Sequence, residues 1–227
     1  MVNYFLDRLL PQSCLVCGMD ASGRGICAPC QTELPNIDHP CPLCALPLAT
    51  PDALACGRCL ADPPPWRRCV SALLYEAPAS RLIAGLKYRS RLPVARLLSD
   101  LLTAQIGSLP QVDVILPVPL HWRRRWQRGF NQAEIIADEL GRRLHLPVQT
   151  RWLQRRHATP AQQSLSAAER ARNLRGAFAL RHPVAGCHIA LVDDVVTTGN
   201  TASEISRLLL QHGAASVEVW SLARTPL

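Results

Sequence analysis

Long apolar runs are missing from this 227-residue chain: no stretch approaches the about 18 residues needed to cross a bilayer. Met1-Val2-Asn3-Tyr4-Phe5-Leu6-Asp7 also lacks the basic start and unbroken apolar segment of an export signal. The expectation is a cytoplasmic protein without a membrane span. Lysine is nearly absent, since Lys87 is the one basic side chain among 25 that is not arginine. Charged residues make up 19% and aromatics 5%, against 48% hydrophobic residues and a mean hydropathy of +0.04. Such a composition builds a core and argues against wholesale disorder.

Charge is unevenly spread. Residues 1–65 sum to −3, residues 66–181 to +13 and residues 182–227 to −2, giving the net +8. A segment so basic suits a surface that meets phosphates, and arginine is the better residue for bidentate phosphate contact. An arginine bias of this size also follows from base composition alone, so charge does not by itself name a ligand.

Eight of the ten cysteines form four CxxC pairs: Cys14/Cys17, Cys27/Cys30, Cys41/Cys44 and Cys56/Cys59. A two-residue gap lets both thiolates of a knuckle reach one ion, and two knuckles complete a tetrahedral four-thiolate zinc shell. Sequential pairing puts Cys14, Cys17, Cys27 and Cys30 on one zinc and Cys41, Cys44, Cys56 and Cys59 on a second; a cross-braced pairing is the alternative. Four disulfides would belong to a secreted domain, for which the chain shows no leader. Metal here replaces a core in a stretch poor in large apolar residues. Eight thiolates with two Zn²⁺ make this region still more acidic, which favours support or partner docking over general phosphate binding. Cys69 and Cys187 sit in apolar runs and are expected as buried small hydrophobes.

Three prolines in Leu60-Ala61-Asp62-Pro63-Pro64-Pro65-Trp66 read as a stiff linker. The expected organisation is a double zinc ribbon over 1–60, a linker over 61–66 and a second domain over 67–227. There strand and helix alternate. Strands are expected at Cys69–Tyr75, Val112–Pro117, Pro147–Arg151, His188–Val192 and Ser216–Leu222. Helices are expected at Ser80–Tyr88, Val94–Ile106, Asn131–Leu144, after the capping box Ser166-x-x-Glu169, and at Thr201–His212, closed by Gly213. Alternation of this kind predicts an α/β fold with a mostly parallel sheet covered on both faces.

The most informative stretch is Ile189-Ala190-Leu191-Val192-Asp193-Asp194-Val195-Val196-Thr197-Thr198-Gly199-Asn200-Thr201. An apolar strand ending at Val192 delivers Asp193 and Asp194 to the carboxyl edge of the sheet, and a small hydroxyl-rich turn opens a helix. Backbone N–H groups and the dipole at that helix start favour a phosphate, and Gly199 permits close backbone approach. Thr197, Thr198 and Thr201 can add hydroxyl donors. Adjacent carboxylates repel phosphate, but they accept hydrogen bonds from vicinal sugar hydroxyls or help hold hydrated Mg²⁺. The ligand read from the residues is therefore a sugar phosphate.

At these positions the chain resembles the phosphoribosyltransferase signature. The resemblance implies phosphoribosyl pyrophosphate (PRPP) as ligand, with Asp193 and Asp194 on the ribose hydroxyls and Thr197, Thr198, Gly199, Asn200 and Thr201 around the 5′-phosphate. Further residues narrow it: the paired CxxC ribbons, Lys87-Tyr88, Arg125-Trp126-Gln127-Arg128-Gly129-Phe130-Asn131-Gln132, and Gln162, Leu165, Arg170, Asn173 and Phe178. Over essentially its full length the chain is similar to the ComF family, especially its GntX/DNA-utilisation branch. That family is linked to DNA uptake in competent bacteria or to DNA as a nutrient. The resemblance implies a type I phosphoribosyltransferase-like sheet behind a double zinc ribbon, two structural Zn²⁺, and Mg²⁺ with PRPP.

His121-Trp122-Arg123-Arg124-Arg125-Trp126-Gln127-Arg128 follows the strand ending in Leu116-Pro117 and so leaves the ligand edge of the sheet. In phosphoribosyltransferases the corresponding loop meets pyrophosphate. Arg128, with Arg125 beside it, is the candidate for neutralising that leaving group, and Asn131 is expected to cap the next helix. Alternatively Trp122 and Trp126 stack nucleobases beside backbone-tracking arginines. Lys87 is either a phosphate contact or a complement to its helix end. The Arg155–Gln163 loop is expected as a flap over the site. Two functions follow: a Mg²⁺-assisted phosphoribosyltransferase of unspecified acceptor, or a non-catalytic PRPP or nucleotide sensor or single-stranded DNA module in DNA uptake. No residue pattern signals an oligomeric state.

Overall fold

The chain is described by a computed structural model covering residues 12–21, 25–86, 92–107, 111–121, 126, 129–156, 174 and 176–226. Its N-terminal part is two copies of one small unit. In the first, β1 (Gln12–Ser13) pairs antiparallel with β2 (Asp20–Ala21) around the Cys14/Cys17 knuckle, and α1 (Ala28–Thr32) carries Cys30. In the second, the bridge Pro40↔Pro47 closes the Cys41/Cys44 knuckle, and α2 (Gly57–Ala61) carries Cys59. Each short helix starts directly after the first cysteine of its CxxC, with Cys27 and Cys56 extended at the N-cap.

Beyond Trp66 follow β3 (Arg68–Leu74), α3 (Ala79–Gly85), α4 (Leu92–Ile106), β4 (Val114–Pro117), α5 (Gln132–Leu144), β5 (Leu153–Arg155), β6 (Phe178–Leu180), β7 (His188–Val196), α6 (Asn200–Gln211) and β8 (Ser216–Arg224). The main sheet has the order β3-β8-β7-β4 and is parallel throughout. Leu191 lies beside both Leu116 and Val219. Along β7 the faces alternate: Ala190 and Val192 join a core with α3, α4 and α5, while Ile189 and Leu191 pack with α6 on the other side. Burial on both faces is why these strands read as nearly continuous apolar runs. The expected doubly covered α/β sheet is thus present. Among the described residues no helix is long and apolar enough to cross a membrane.

Four local expectations change. β7 runs through Val196 rather than stopping at Val192, because β8 continues to Arg224 and supplies backbone partners as far as Val196↔Arg224. The strand expected at Pro147–Arg151 is a single parallel bridge, Val148 beside Ile115, made by Ile115 N–H to Pro147 O and Gln149 N–H to Ile115 O, both 2.9 Å. A small antiparallel pair, β5 with β6, forms where no strand was expected, with β5 ending on the first residue of the expected flap. Cys69 is buried at 4% exposure, whereas Cys187 is only half-buried, lifted by the Gly186 turn. Asn131 caps α5 as expected: its Oδ1 accepts from Ala133 N–H at 3.1 Å and its amide donates to Val118 O at 3.0 Å. The Ser166-x-x-Glu169 helix lies outside the described residues.

Candidate functional site

The site forms where β7 ends and α6 begins. β7 carries Asp193 and Asp194, locked to their own backbone: Asp194 N–H donates to Asp193 Oδ1 at 2.9 Å and Val195 N–H to Asp194 Oδ1 at 2.8 Å. Burial, with the Asp194 charge beside it, pushes the Asp193 carboxyl well above the ordinary carboxylate range, and the Arg155 charge from β5 pulls it partly back. A depression of about 40 Å³ follows, lined by Asp193, Val195–Thr201 and Ala202. Thr198 Oγ1 lies 3.5 Å from Asn200 N. Gly199 adopts φ +81° at the N-cap of α6, and a Cβ there would stand 3.2 Å from Trp66 Cη2.

The other side of this loop is held by arginines. Arg224, 2% exposed, donates to Val196 O at 2.9 Å, to Thr197 O, to Thr225 O at 3.0 Å and, through Nε, to Cys44 O at 2.7 Å. Arg58 Nη2 donates to Thr198 O at 3.3 Å. In a planar trans peptide the C=O and the following N–H point in opposite directions. The Thr197, Thr198 and Gly199 N–H groups therefore face away from these arginines. Successive N–H groups on one side of a turn at a helix start make an anion cradle.

The cysteines gather in two clusters, Cys14, Cys17, Cys27 and Cys30, and Cys41, Cys44, Cys56 and Cys59, the sulfurs of each within 4.8 Å of one another. Sγ–Sγ distances of 3.7 Å for Cys17/Cys27 and 3.5 Å for Cys44/Cys56 are far too long for disulfides and close to the about 3.8 Å edge of a tetrahedron with Zn–S bonds of about 2.3 Å. All ten cysteines are free thiols. Cys56 N–H donates to Cys41 Sγ at 3.3 Å, the kind of backbone bond that steadies a thiolate ligand. The donor set fits two structural zinc ions paired in sequence, not across.

Residues 5–60 match the double zinc ribbon domain family model. Over 224 residues the chain is 45% identical to DNA utilization protein YhgH of Escherichia coli K12, covering 95% of this chain and 98% of that protein. It is 34% identical to competence protein F of Haemophilus influenzae, covering 99% and 100% of the two chains. The chain belongs to the ComF family. A further member, competence protein ComFC of Bacillus subtilis, is 29% identical over 88% of this chain and 84% of its own. Among solved structures, glutamine phosphoribosylpyrophosphate amidotransferase of B. subtilis is similar at 22% identity and TM-score 0.42, over 62% of this chain and 30% of that one. A Staphylococcus aureus hypoxanthine phosphoribosyltransferase follows at 16% identity and TM-score 0.37, over 56% and 61%.

In this ComF-family chain Asp193, Thr197, Thr198, Gly199, Asn200 and Thr201 come together around one depression, while Asp194 adjoins it without being part of its lining. Val192 is fully buried and its carbonyl accepts Val118 N–H at 2.8 Å, so it belongs to the core beneath the site. Lys87, Arg125 and Arg128 lie outside the described residues, as do Trp122–Arg124 and the flap beyond Arg156. Trp126 is 85% exposed.

Arg155 stands at the start of the expected flap, and sequence reasoning missed three contributors: Arg58, Trp66 and Arg224. The last had a signal, a lone arginine closing an apolar strand, where a buried cation needs several acceptors. A second cleft of about 310 Å³ is lined by Pro119, Leu120, Glu134, Thr150, Arg151, Leu153, Gln154, Arg155 and Arg181. At the β5–β6 pair Trp152 stacks on His182 with ring centroids 4.2 Å apart.

Proposed function

We propose that this chain binds PRPP at the β7–α6 turn and transfers its phosphoribosyl group to an acceptor, in the service of DNA uptake or DNA use. The observation that carries the reading is Asp193 set beside a loop whose carbonyls are turned to one side and whose N–H groups are turned to the other. Thr197–Thr201 would hold the 5′-phosphate, and Asp193 with Asp194 the ribose hydroxyls. In the reaction the C1–O bond to pyrophosphate breaks and its electron pair leaves with pyrophosphate. An acceptor lone pair forms the new bond at C1, and the acceptor loses a proton.

Mg²⁺, when bound with PRPP, would supply charge neutralisation for the leaving group; the oxygen donors at the acid pair suit such a hard cation. Arg128 and Arg125 would add positive charge on the same leaving group, and Lys87 a further phosphate contact. Arg155 joins the acids to the 310 Å³ cleft, which is where an acceptor would approach C1. In this reading the double ribbon over 1–60 and the catalytic domain over 67–227 work together in the cytoplasm.

The test is pyrophosphate release from PRPP with Mg²⁺ across an acceptor panel of nucleobases and single-stranded DNA. Release by the native chain that disappears in Asp193→Ala supports transfer. Equal release in both would refute the assignment.

A second reading is a non-catalytic PRPP or nucleotide sensor, or a single-stranded DNA module. It draws on exposed Trp126 and on the Trp152/His182 stack, which lies next in sequence to Arg151 and Arg181. It predicts strongly salt-dependent single-strand affinity lost on replacing Arg123, Arg124 and Arg125. Salt-independent binding would count against it.

A further inference from the structure

The side of the phosphate loop that faces away from its N–H groups is built by the second cysteine unit. All three carbonyls after Cys41 in that knuckle accept bonds from outside the unit. Pro42 O takes Cys69 N–H at 2.8 Å, Leu43 O takes Trp66 Nε1–H at 2.6 Å, and Cys44 O takes Arg224 Nε–H at 2.7 Å. Two of these donors continue to the loop: the Trp66 ring lies against Gly199, and Arg224 bonds the Val196 and Thr197 carbonyls. Arg58, between Cys56 and Cys59 in sequence, reaches Thr198 O directly. Three successive loop carbonyls, 196 to 198, are thus each tied to this knuckle unit or to a side chain resting on it. No hydrogen bond links the first cysteine unit to the loop among the described residues.

The charges agree with the contacts. Arg224 is buried among four carbonyls, and its guanidinium group bonds no carboxylate among the described residues. A buried cation without a nearby counter-charge is costly. Four thiolates around one Zn²⁺ carry a formal charge of −2, which offsets Arg224 and Arg58 together. The lining of the cleft between this unit and the loop, about 290 Å³, includes Arg58, Cys59, Trp66, Gly199, Arg207 and Arg224.

We propose that the second four-cysteine ribbon is a positioning element for the phosphate loop, with Arg224, Arg58 and Trp66 turning the N–H groups of residues 197–199 toward the ligand. The proposal rests on the reading of that loop as the phosphate site. Ligand affinity then depends on the second ribbon through these three side chains, although none of them touches the ligand.

The test uses the full zinc-loaded chain. Hydrogen exchange over residues 196–200 is measured without ligand in the native protein, Arg58→Ala, Arg224→Lys and Arg207→Ala, with zinc content as the check on fold. PRPP with Mg²⁺ is then titrated into each. Arg58→Ala should speed exchange in this segment about fivefold and weaken PRPP by a similar factor, the worth of about one hydrogen bond, with both zinc ions retained. Arg224→Lys should do more on both readings.

Arg207→Ala removes an equal charge from the same cleft, but its side chain donates to no loop carbonyl among the described residues, so it should leave exchange at the native rate. Unchanged exchange in Arg58→Ala and Arg224→Lys, or equal effects from Arg207→Ala, would overturn the proposal. Arg58→Ala, at an exposed position, decides alone where Arg224→Lys does not fold. A native chain that takes up no PRPP refutes the phosphate-site reading, while the exchange rates still decide the positioning role.

Discussion

Gly199→Ala should destabilise the chain by two separable amounts. At φ +81° an alanine meets the left-handed penalty, about 1 kcal/mol. Its Cβ would also sit 3.2 Å from Trp66 Cη2, tighter than ordinary contact. Trp66 has little room to yield, since it is 5% exposed and its indole N–H is bonded to Leu43 O at 2.6 Å. Overpacking there adds about 1 kcal/mol more. Gly186→Ala isolates the first amount, because φ is +76° and no atom lies within 4 Å of the added Cβ. At roughly 2–4 °C per kcal/mol for a chain of this size, thermal melts should fall about 3 °C for Gly186→Ala and about 6 °C for Gly199→Ala. Equal losses in the two variants would refute the Trp66 contact, and no loss in either would refute the backbone strain.

Asp193→Asn should stabilise the ligand-free protein at neutral pH. The folded-state pKa of Asp193 is raised, so ionising it opposes folding, and the native chain loses stability as pH climbs from the ordinary carboxylate value through the raised one. Denaturant melts should show the variant ahead at pH 7.5 and level with the native chain at pH 4; a lead that is constant with pH would contradict this. Asn131→Ala removes both the α5 cap and the partner of Val118 O, and urea melts should show a loss of about 2 kcal/mol. Chelation should release two zinc ions per chain and red-shift tryptophan fluorescence as Trp66 leaves Leu43; unchanged emission after metal loss would contradict a metal-held knuckle.

Much of this molecule was legible in the sequence because its signals are local. A CxxC knuckle is set by four residues, and the acid-threonine turn lies on one strand, one loop and one helix start. Apolar periodicity placed β3, β4, β7, α4 and α5 to within a few residues. The pairing of β5 with β6 was not legible, since residues 153–155 and 178–180 are short and their partners lie more than 20 positions away. Nor was the extension of β7 past the acids, which depends on how far β8 runs. The bonds that Arg58 and Arg224 make to the carbonyls of residues 196–198 were not legible for the same reason, although Arg224 carried a signal of burial. Arg58 stands 140 residues from the Thr198 carbonyl it bonds and is brought there by the docking of the ribbon, whereas Arg224 stands 27 residues from the Thr197 carbonyl and is brought there by the pairing of β8 with β7.

The proposed function makes Asp193 and the Thr197–Thr201 loop a PRPP site. It is tested most directly by calorimetric titration of zinc-loaded chain with PRPP and Mg²⁺, run beside Asp193→Ala. The native protein should give saturable heat with one ligand per chain, and the variant none. Absence of saturable heat in the native protein, or the same isotherm in both, would contradict it.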